Sequence, residues 1–206
     1  MMELRKDPFN VVIAGVGGQG NVLASLILGR YFVGRGGKVT IGETYGVSQR
    51  GGSVMSHLRV SRKKQFAPII PKGDADLVIA LEPVEALRVL DDFGNPDIDL
   101  IVNMRPVYPM AVLSGECVYP PLEDIKDAFR LYSRHFWTIN ATAIALELGK
   151  AILANIVMLG AVLETRVLDI QEAFFVETLK ESLPKTSIEI NLRAFHDGRK
   201  GLLSGK

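Results

Sequence analysis

The chain has 206 residues, 48% of them hydrophobic, which suits one sizeable core and gives no reason to divide it. With 24 basic against 23 acidic side chains its formal charge is +1, so no overall field draws it to nucleic acid or to an anionic membrane, and partners must be recognised locally. Cys117 is the one cysteine, which excludes an internal disulfide and any cysteine-ligated iron–sulfur cluster or zinc site built by this chain alone.

The start, Met1-Met2-Glu3-Leu4-Arg5-Lys6-Asp7-Pro8, lacks the apolar run of a signal peptide. Charges or prolines interrupt most apolar stretches well short of a membrane span. The longest, residues 151–163, contains Asn155 and reads as a buried helix. A reducing cytosol is the expected home. Asn10-Val11-Val12-Ile13-Ala14 is a short apolar run closed by glycine, as in a central parallel strand covered on both faces. Residues 22–32 are apolar all round and predict a helix, and Lys38-Val39-Thr40-Ile41 a second strand, making a βαβ unit. Residues 53–60 alternate, with Val54, Ser56, Leu58 and Val60 on one face and Ser53, Met55, His57 and Arg59 on the other. Such alternation predicts a less buried strand at an edge, with His57 facing outward.

Asp76-Leu77-Val78-Ile79-Ala80-Leu81 repeats the buried-strand signature; Pro83 then suits a first helical turn, and 84–90 has helical spacing. Leu100-Ile101-Val102-Asn103 is another buried strand. Pro106, Pro109, Pro120 and Pro121 frame turns around a short expected strand at 116–119, before an amphipathic helix at 122–132. Phe136-Trp137 reads as core strand in preference to an exposed interface anchor. From Asn140 onward the texture is helical. Residues 141–150 and 151–164 are alanine-rich, while Asp169-x-x-Glu172 and Thr186-x-x-Glu189 have the form of capping boxes. Strands and helices alternating in this way predict a single α/β domain over 1–206: a Rossmann-like, doubly wound, mainly parallel sheet with additional C-terminal helices over about 140–206.

Two glycine loops carry the chemical signal. Gly15-Val16-Gly17-Gly18-Gln19-Gly20 follows a strand and opens a helix. Without Cβ atoms the turn is tight and a phosphate can approach the backbone at a helix N-terminus, while Gln19 adds an amide at the rim. The same glycines also serve simple strand–helix packing. A dinucleotide enzyme further needs an acid at the end of the second strand, and Glu43 is the only candidate. Tyr45-Gly46-Val47-Ser48-Gln49-Arg50-Gly51-Gly52 gathers an aromatic ring, polar side chains, a permanent cation and glycines, a mixture suited to an anion. His57, His135 and His196 lie at no metal-ligand spacing, and no Gly-x-Ser-x-Gly elbow occurs, so neither a metal site nor a catalytic residue is assigned. Asn155 is expected to be buried and to find its hydrogen-bond partner at the glycine loop or a strand end.

Together with Asn155-Ile156-Val157-Met158-Leu159-Gly160-Ala161 and Asn191-Leu192-Arg193-Ala194-Phe195, the two loops make the chain resemble the gamma-domain family of 2-oxoacid:ferredoxin oxidoreductases, most closely its indolepyruvate branch. The resemblance implies a small subunit, inactive alone. A large alpha subunit would hold thiamine diphosphate and iron–sulfur clusters, and ferredoxin would accept the electrons as an aryl pyruvate is oxidatively decarboxylated to a coenzyme A thioester. It implies no nucleic-acid or membrane partner and no cofactor held by this chain itself. Contact with coenzyme A would fall to Gly15, Gly17, Gly18, Gln19, Gly20, Tyr45, Gln49, Arg50, Gly51 and Gly52. The alternatives are a gamma subunit for pyruvate, 2-oxoisovalerate or 2-oxoglutarate, and a free-standing NAD(P)-binding protein using the first loop.

Overall fold

The computed structural model of the chain describes residues 3–46 and 52–204. Strand β1 (Phe9–Val16) is buried throughout and leads through the first glycine loop to α1 (Asn21–Gly34), which returns the chain to β2 (Lys38–Tyr45). There follow β3 (Ser53–Ser61), β4 (Leu77–Ala80), α2 (Pro83–Phe93), β5 (Asp99–Asn103), a single turn α3 (Met110–Leu113), α4 (Leu122–Tyr132) and β6 (His135–Ile139). The remainder is α5 (Ala141–Glu147), α6 (Ala154–Thr165), α7 (Glu172–Ser182), α8 (Ile188–Lys200) and a short β7 (Leu203–Ser204).

The described strands form one sheet in the order β2-β3-β1-β4-β5-β6-β7. β1, β4, β5 and β6 are parallel neighbours, and β3 runs antiparallel to both β1 and β2, so β2 shares the direction of the parallel set. Helices α1, α5, α6, α7 and α8 bury their apolar sides on one face, and α2 and α4 cover the other. The doubly wound, mainly parallel expectation therefore holds. Of the expected core pair, Phe136 lies in the core and Trp137 is half-buried; Ile139 is buried as well.

Four local expectations need correction. β3 is not at an edge: the chain hairpins back from β2 and inserts β3 between β2 and β1, leaving β2 outermost. Its polar alternation is real, but residues after β3 cover that face. Arg59 Nε donates to Asn10 Oδ1, its Nη1 donates to the carbonyls of Ala67 and Ile69, and its guanidinium lies 5.1 Å from the Phe66 ring centre. His57, expected to face outward, is fully buried with its ring edge-on to Phe93. Residues 116–119 form a bend and irregular chain instead of a strand, because four prolines and Gly115 leave too short a run to pair. The two capping boxes do not form. α7 and α8 start after Gln171 and Ser187, neither of which caps through its side chain.

At the amino end of the sheet Asp99, wholly buried, accepts from Arg5 (2.7 Å), Arg134 (2.6 Å) and His135 (3.0 Å), tying the N-terminal segment to β5 and β6. Elsewhere in the sheet a buried titratable group gives a stability signature. Burial, then the neighbouring Arg59 guanidinium, hold the His57 imidazole below its usual pKa of 6.5, and Nδ1 has no hydrogen-bond partner. Below about pH 6.5 the unfolded chain takes up a proton that the folded chain refuses, so stability falls with falling pH, by at most about 1.4 kcal/mol per pH unit. Burial raises the carboxyls of Asp76 and Glu85, which contribute the opposite slope at more acidic pH. We therefore expect denaturant unfolding to show a steeper stability loss for wild type than for His57→Phe between about pH 7 and about pH 5.5. Coincident slopes would mean that the folded chain already accommodates the proton.

Candidate functional site

After β1 the chain turns to α1 on one face, and after β4 to α2 on the other, so a crevice opens between the carboxyl ends of these two strands. The first glycine loop fills its rim. Gly18 and Gly20 have φ of +97° and +85°, which glycine adopts without strain. Gln19 folds back: its Oε1 accepts from the Val16 amide (2.7 Å) and its Nε2 donates to the Leu81 carbonyl (3.2 Å). A Cβ at Gly15 would lie 2.5 Å from Gln19 Oε1 and 2.9 Å from Asn21 Oδ1, so this glycine makes room for two amides. Both ends of the Gln19 amide are thus engaged within the protein. The amide staples the loop to the residue after β4.

Asn155 meets its expectation. Its Nδ2 donates to the Gly20 carbonyl (3.3 Å), and a Cβ at Gly20 would come within 2.2 Å of that nitrogen. α1 starts at Asn21 with no acid in its first turn and, among the described residues, no side-chain cap, which leaves free amides and a positive dipole end there. Beside this terminus is a solvent-open hollow of about 360 Å³, whose lining includes Gly17, Gly18, Gly20, Asn21, Tyr45 and Ile152. Asn21 donates through Nδ2 to the Val54 carbonyl (3.0 Å), while its buried Oδ1 has no partner among the described residues. Neither Asn21 nor Ile152 stood out in the sequence, because an asparagine after glycine and an isoleucine in an apolar run carry no distinguishing pattern.

The structure brings the base of the second loop to the first. The Gly17 amide donates to the Gly52 carbonyl (2.9 Å), the Gly46 amide to the Ser53 carbonyl (2.7 Å), and Ser53 Oγ to Glu85 Oε2 (2.5 Å). Tyr45, two-thirds exposed, stands at the hollow's edge. Gln49, Arg50 and Gly51 lie outside the described residues. Glu43, the candidate ribose acid, accepts from Ser56 Oγ (2.6 Å) and Ser25 Oγ (3.3 Å) in the seam between β2, β3 and α1. Its carboxylate is committed to the fold.

On the far side of the crevice Glu82 caps α2 through Oε2 (2.9 Å to the Glu85 amide). Its Oε1 accepts from the Tyr119 hydroxyl (2.5 Å) and the Val107 amide (3.3 Å). Burial, then the Glu82 carboxylate, push the Tyr119 hydroxyl far above its usual range, so it stays a donor. Asn103 Nδ2 bridges the Leu81 carbonyl (3.1 Å) and Thr142 Oγ1 (2.9 Å). Preorganised polar groups thus fix the shape of the carboxyl end.

The sequence model of the pyruvate ferredoxin/flavodoxin oxidoreductase family matches residues 10–201, nearly the whole chain. The chain belongs to this family. Among relatives of this oxidoreductase subunit, the indolepyruvate oxidoreductase subunit IorB of Methanothermobacter thermautotrophicus is 35% identical over 190 residues, covering 92% of this chain and 95% of the relative. Its fold is that of the pyruvate oxidoreductase subunit PORC from Thermotoga maritima (TM-score 0.73, 20% identity, 98% of this chain and 100% of that one). A 2-oxoglutarate:ferredoxin oxidoreductase from Magnetococcus marinus, solved with 2-oxoglutarate, coenzyme A and succinyl-CoA bound, shares the fold over 31% of its own chain and 95% of this one (TM-score 0.73, 21% identity). Among the described residues of this family member, no helix is long and apolar enough to cross a membrane.

Proposed function

We propose that this chain is the small subunit of a cytoplasmic indolepyruvate:ferredoxin oxidoreductase, and that its glycine hollow receives the anionic part of coenzyme A. The observation that carries the coenzyme A reading is the uncapped α1 terminus beside the hollow, bordered by glycines whose backbone a phosphate can approach. The indolepyruvate assignment rests on the near-full-length likeness to the indolepyruvate oxidoreductase subunits. A large partner subunit supplies thiamine diphosphate for the carbanion chemistry and iron–sulfur clusters that pass electrons to ferredoxin. This chain's residues bind and orient. Gly17, Gly18 and Gly20 present backbone to the anion, Tyr45 borders the site, and Gln49, Arg50, Gly51 and Gly52 supply the second loop, with Arg50 the cation. Gly15 and Gln19 hold the turn in shape. The 2-oxo acid meets the partner, so substrate choice lies mostly outside this chain.

Co-expression with the large subunit tests the assignment. Recovery as a complex that reduces ferredoxin with indolepyruvate or phenylpyruvate, dependent on coenzyme A, is the expected result. Preference for pyruvate, 2-oxoisovalerate or 2-oxoglutarate would move the chain to another branch of its family. A chain recovered only alone and binding NADH below millimolar concentration would favour the free-standing dinucleotide reading.

A further inference from the structure

Between β5 and α4 the chain makes a long excursion, residues 104–121, across the carboxyl end of the sheet. It is pinned from below at Glu82, which receives both the Val107 amide and the Tyr119 hydroxyl. Above that hook the segment is a preformed knob. Its backbone closes on itself, with amides 112–117 donating to carbonyls 109–112, and Pro106, Pro109, Pro120 and Pro121 stiffen its two ends. Arg105 and Glu116 are its only charged residues. Its outward side chains are apolar and stand in solvent: Met110 is 77% exposed, Leu113 66% and Val118 89%. A rigid, nearly uncharged knob with this much apolar surface is built to be covered.

We propose that this knob is the docking element for the larger catalytic subunit. The inference rests on the small-subunit reading above and adds to it the face that assembles. Two observations favour that occupant. The knob is hooked to the residue that caps α2 at the crevice, and exposed Tyr45 and Ile152 line the hollow at the same end of the sheet. A partner seated on this apolar end covers the knob while facing the hollow, which places a ligand held there between the two subunits. A second copy of this chain would instead set one glycine hollow against another.

The test is affinity for the large subunit, measured for wild type and for the double variant Met110→Glu with Leu113→Glu. Both positions are exposed and make no core contact, and thermal unfolding of the isolated chain is expected to be unchanged. At least tenfold weaker assembly is the predicted result. Tyr119→Phe, which removes the hydroxyl half of the hook and no exposed apolar group, is expected to weaken assembly less. A double variant that assembles like wild type overturns the docking face while leaving the small-subunit reading intact. Wild type that fails to assemble with the large subunit overturns both. If the double variant abolishes a homodimer but not the complex, the occupant is a second copy and the proposal falls.

Discussion

Gly160→Ala is expected to destabilise the fold by about 3 kcal/mol, lowering the melting temperature by roughly 6–12 °C for a chain of this size. Helices α6 and α8 meet backbone to backbone. A Cβ at position 160 would lie 2.0 Å from the Phe195 carbonyl oxygen and 2.9 Å from its carbon. Reciprocally, a Cβ at 198 would lie 2.0 Å from the Val157 oxygen and 2.8 Å from its carbon. Backbone atoms inside a helix cannot rotate aside, so the helices must separate, opening gaps around the fully packed Leu159, Ala194 and Phe195. Alanine's better helix propensity, worth about 1 kcal/mol, offsets only part of that cost. Gly34→Ala is the control. Nothing lies within 4 Å of a Cβ there, and its φ is not in the left-handed region, so a gain of about 0.5 kcal/mol is expected. A Gly160→Ala chain that melts with wild type would mean that the helices do not touch through their backbones.

What was legible in the sequence was what a residue's own pattern carries, and what was not legible turned on partners that no spacing marks. The parallel strands were visible because runs such as 76–81 and 100–103 are buried on both faces and carry their own signature. The placement of β3 was not. His57 and Arg59 alternate as if toward water, and only a segment beyond β3, around 66–69, hides Arg59. The short strand expected at 116–119 failed for a local reason: Gly115 and the flanking prolines leave too short a run to pair, with Val118 exposed and Tyr119 turned in to Glu82. Of the site, the glycine loop's position and Asn155's partner were both legible. The Gln19 staple was not, since nothing in the sequence marks the Leu81 carbonyl as its partner. Likewise Glu43 has the position of a ribose acid, but Ser25 and Ser56 take it, and neither hydroxyl is marked by spacing.

The second large effect is functional and turns on Gly18, which is exposed at the rim of the hollow with no described residue within 4 Å of the place a Cβ would occupy. Its φ of +97° strains any other residue there, so a single variant would confuse backbone cost with chemistry. Gly18→Asp and Gly18→Asn remove that confusion, because they share shape and backbone strain and differ in charge. At an effective dielectric of about 20, a carboxylate roughly 5 Å from a bound phosphate repels it by about 3 kcal/mol, and solvent at the rim reduces this to about half. That corresponds to about tenfold in affinity. The 2-oxo acid, which meets the partner in the proposed complex, should be indifferent to the charge.

Steady-state kinetics of the reconstituted two-subunit complex therefore tests the central claim, that this chain's glycine hollow holds the anionic part of coenzyme A. The expected result is a KM for coenzyme A about tenfold higher in Gly18→Asp than in Gly18→Asn, with the KM for the 2-oxo acid the same in both. Equal KM values for coenzyme A in the two variants would contradict it and leave the hollow as architecture.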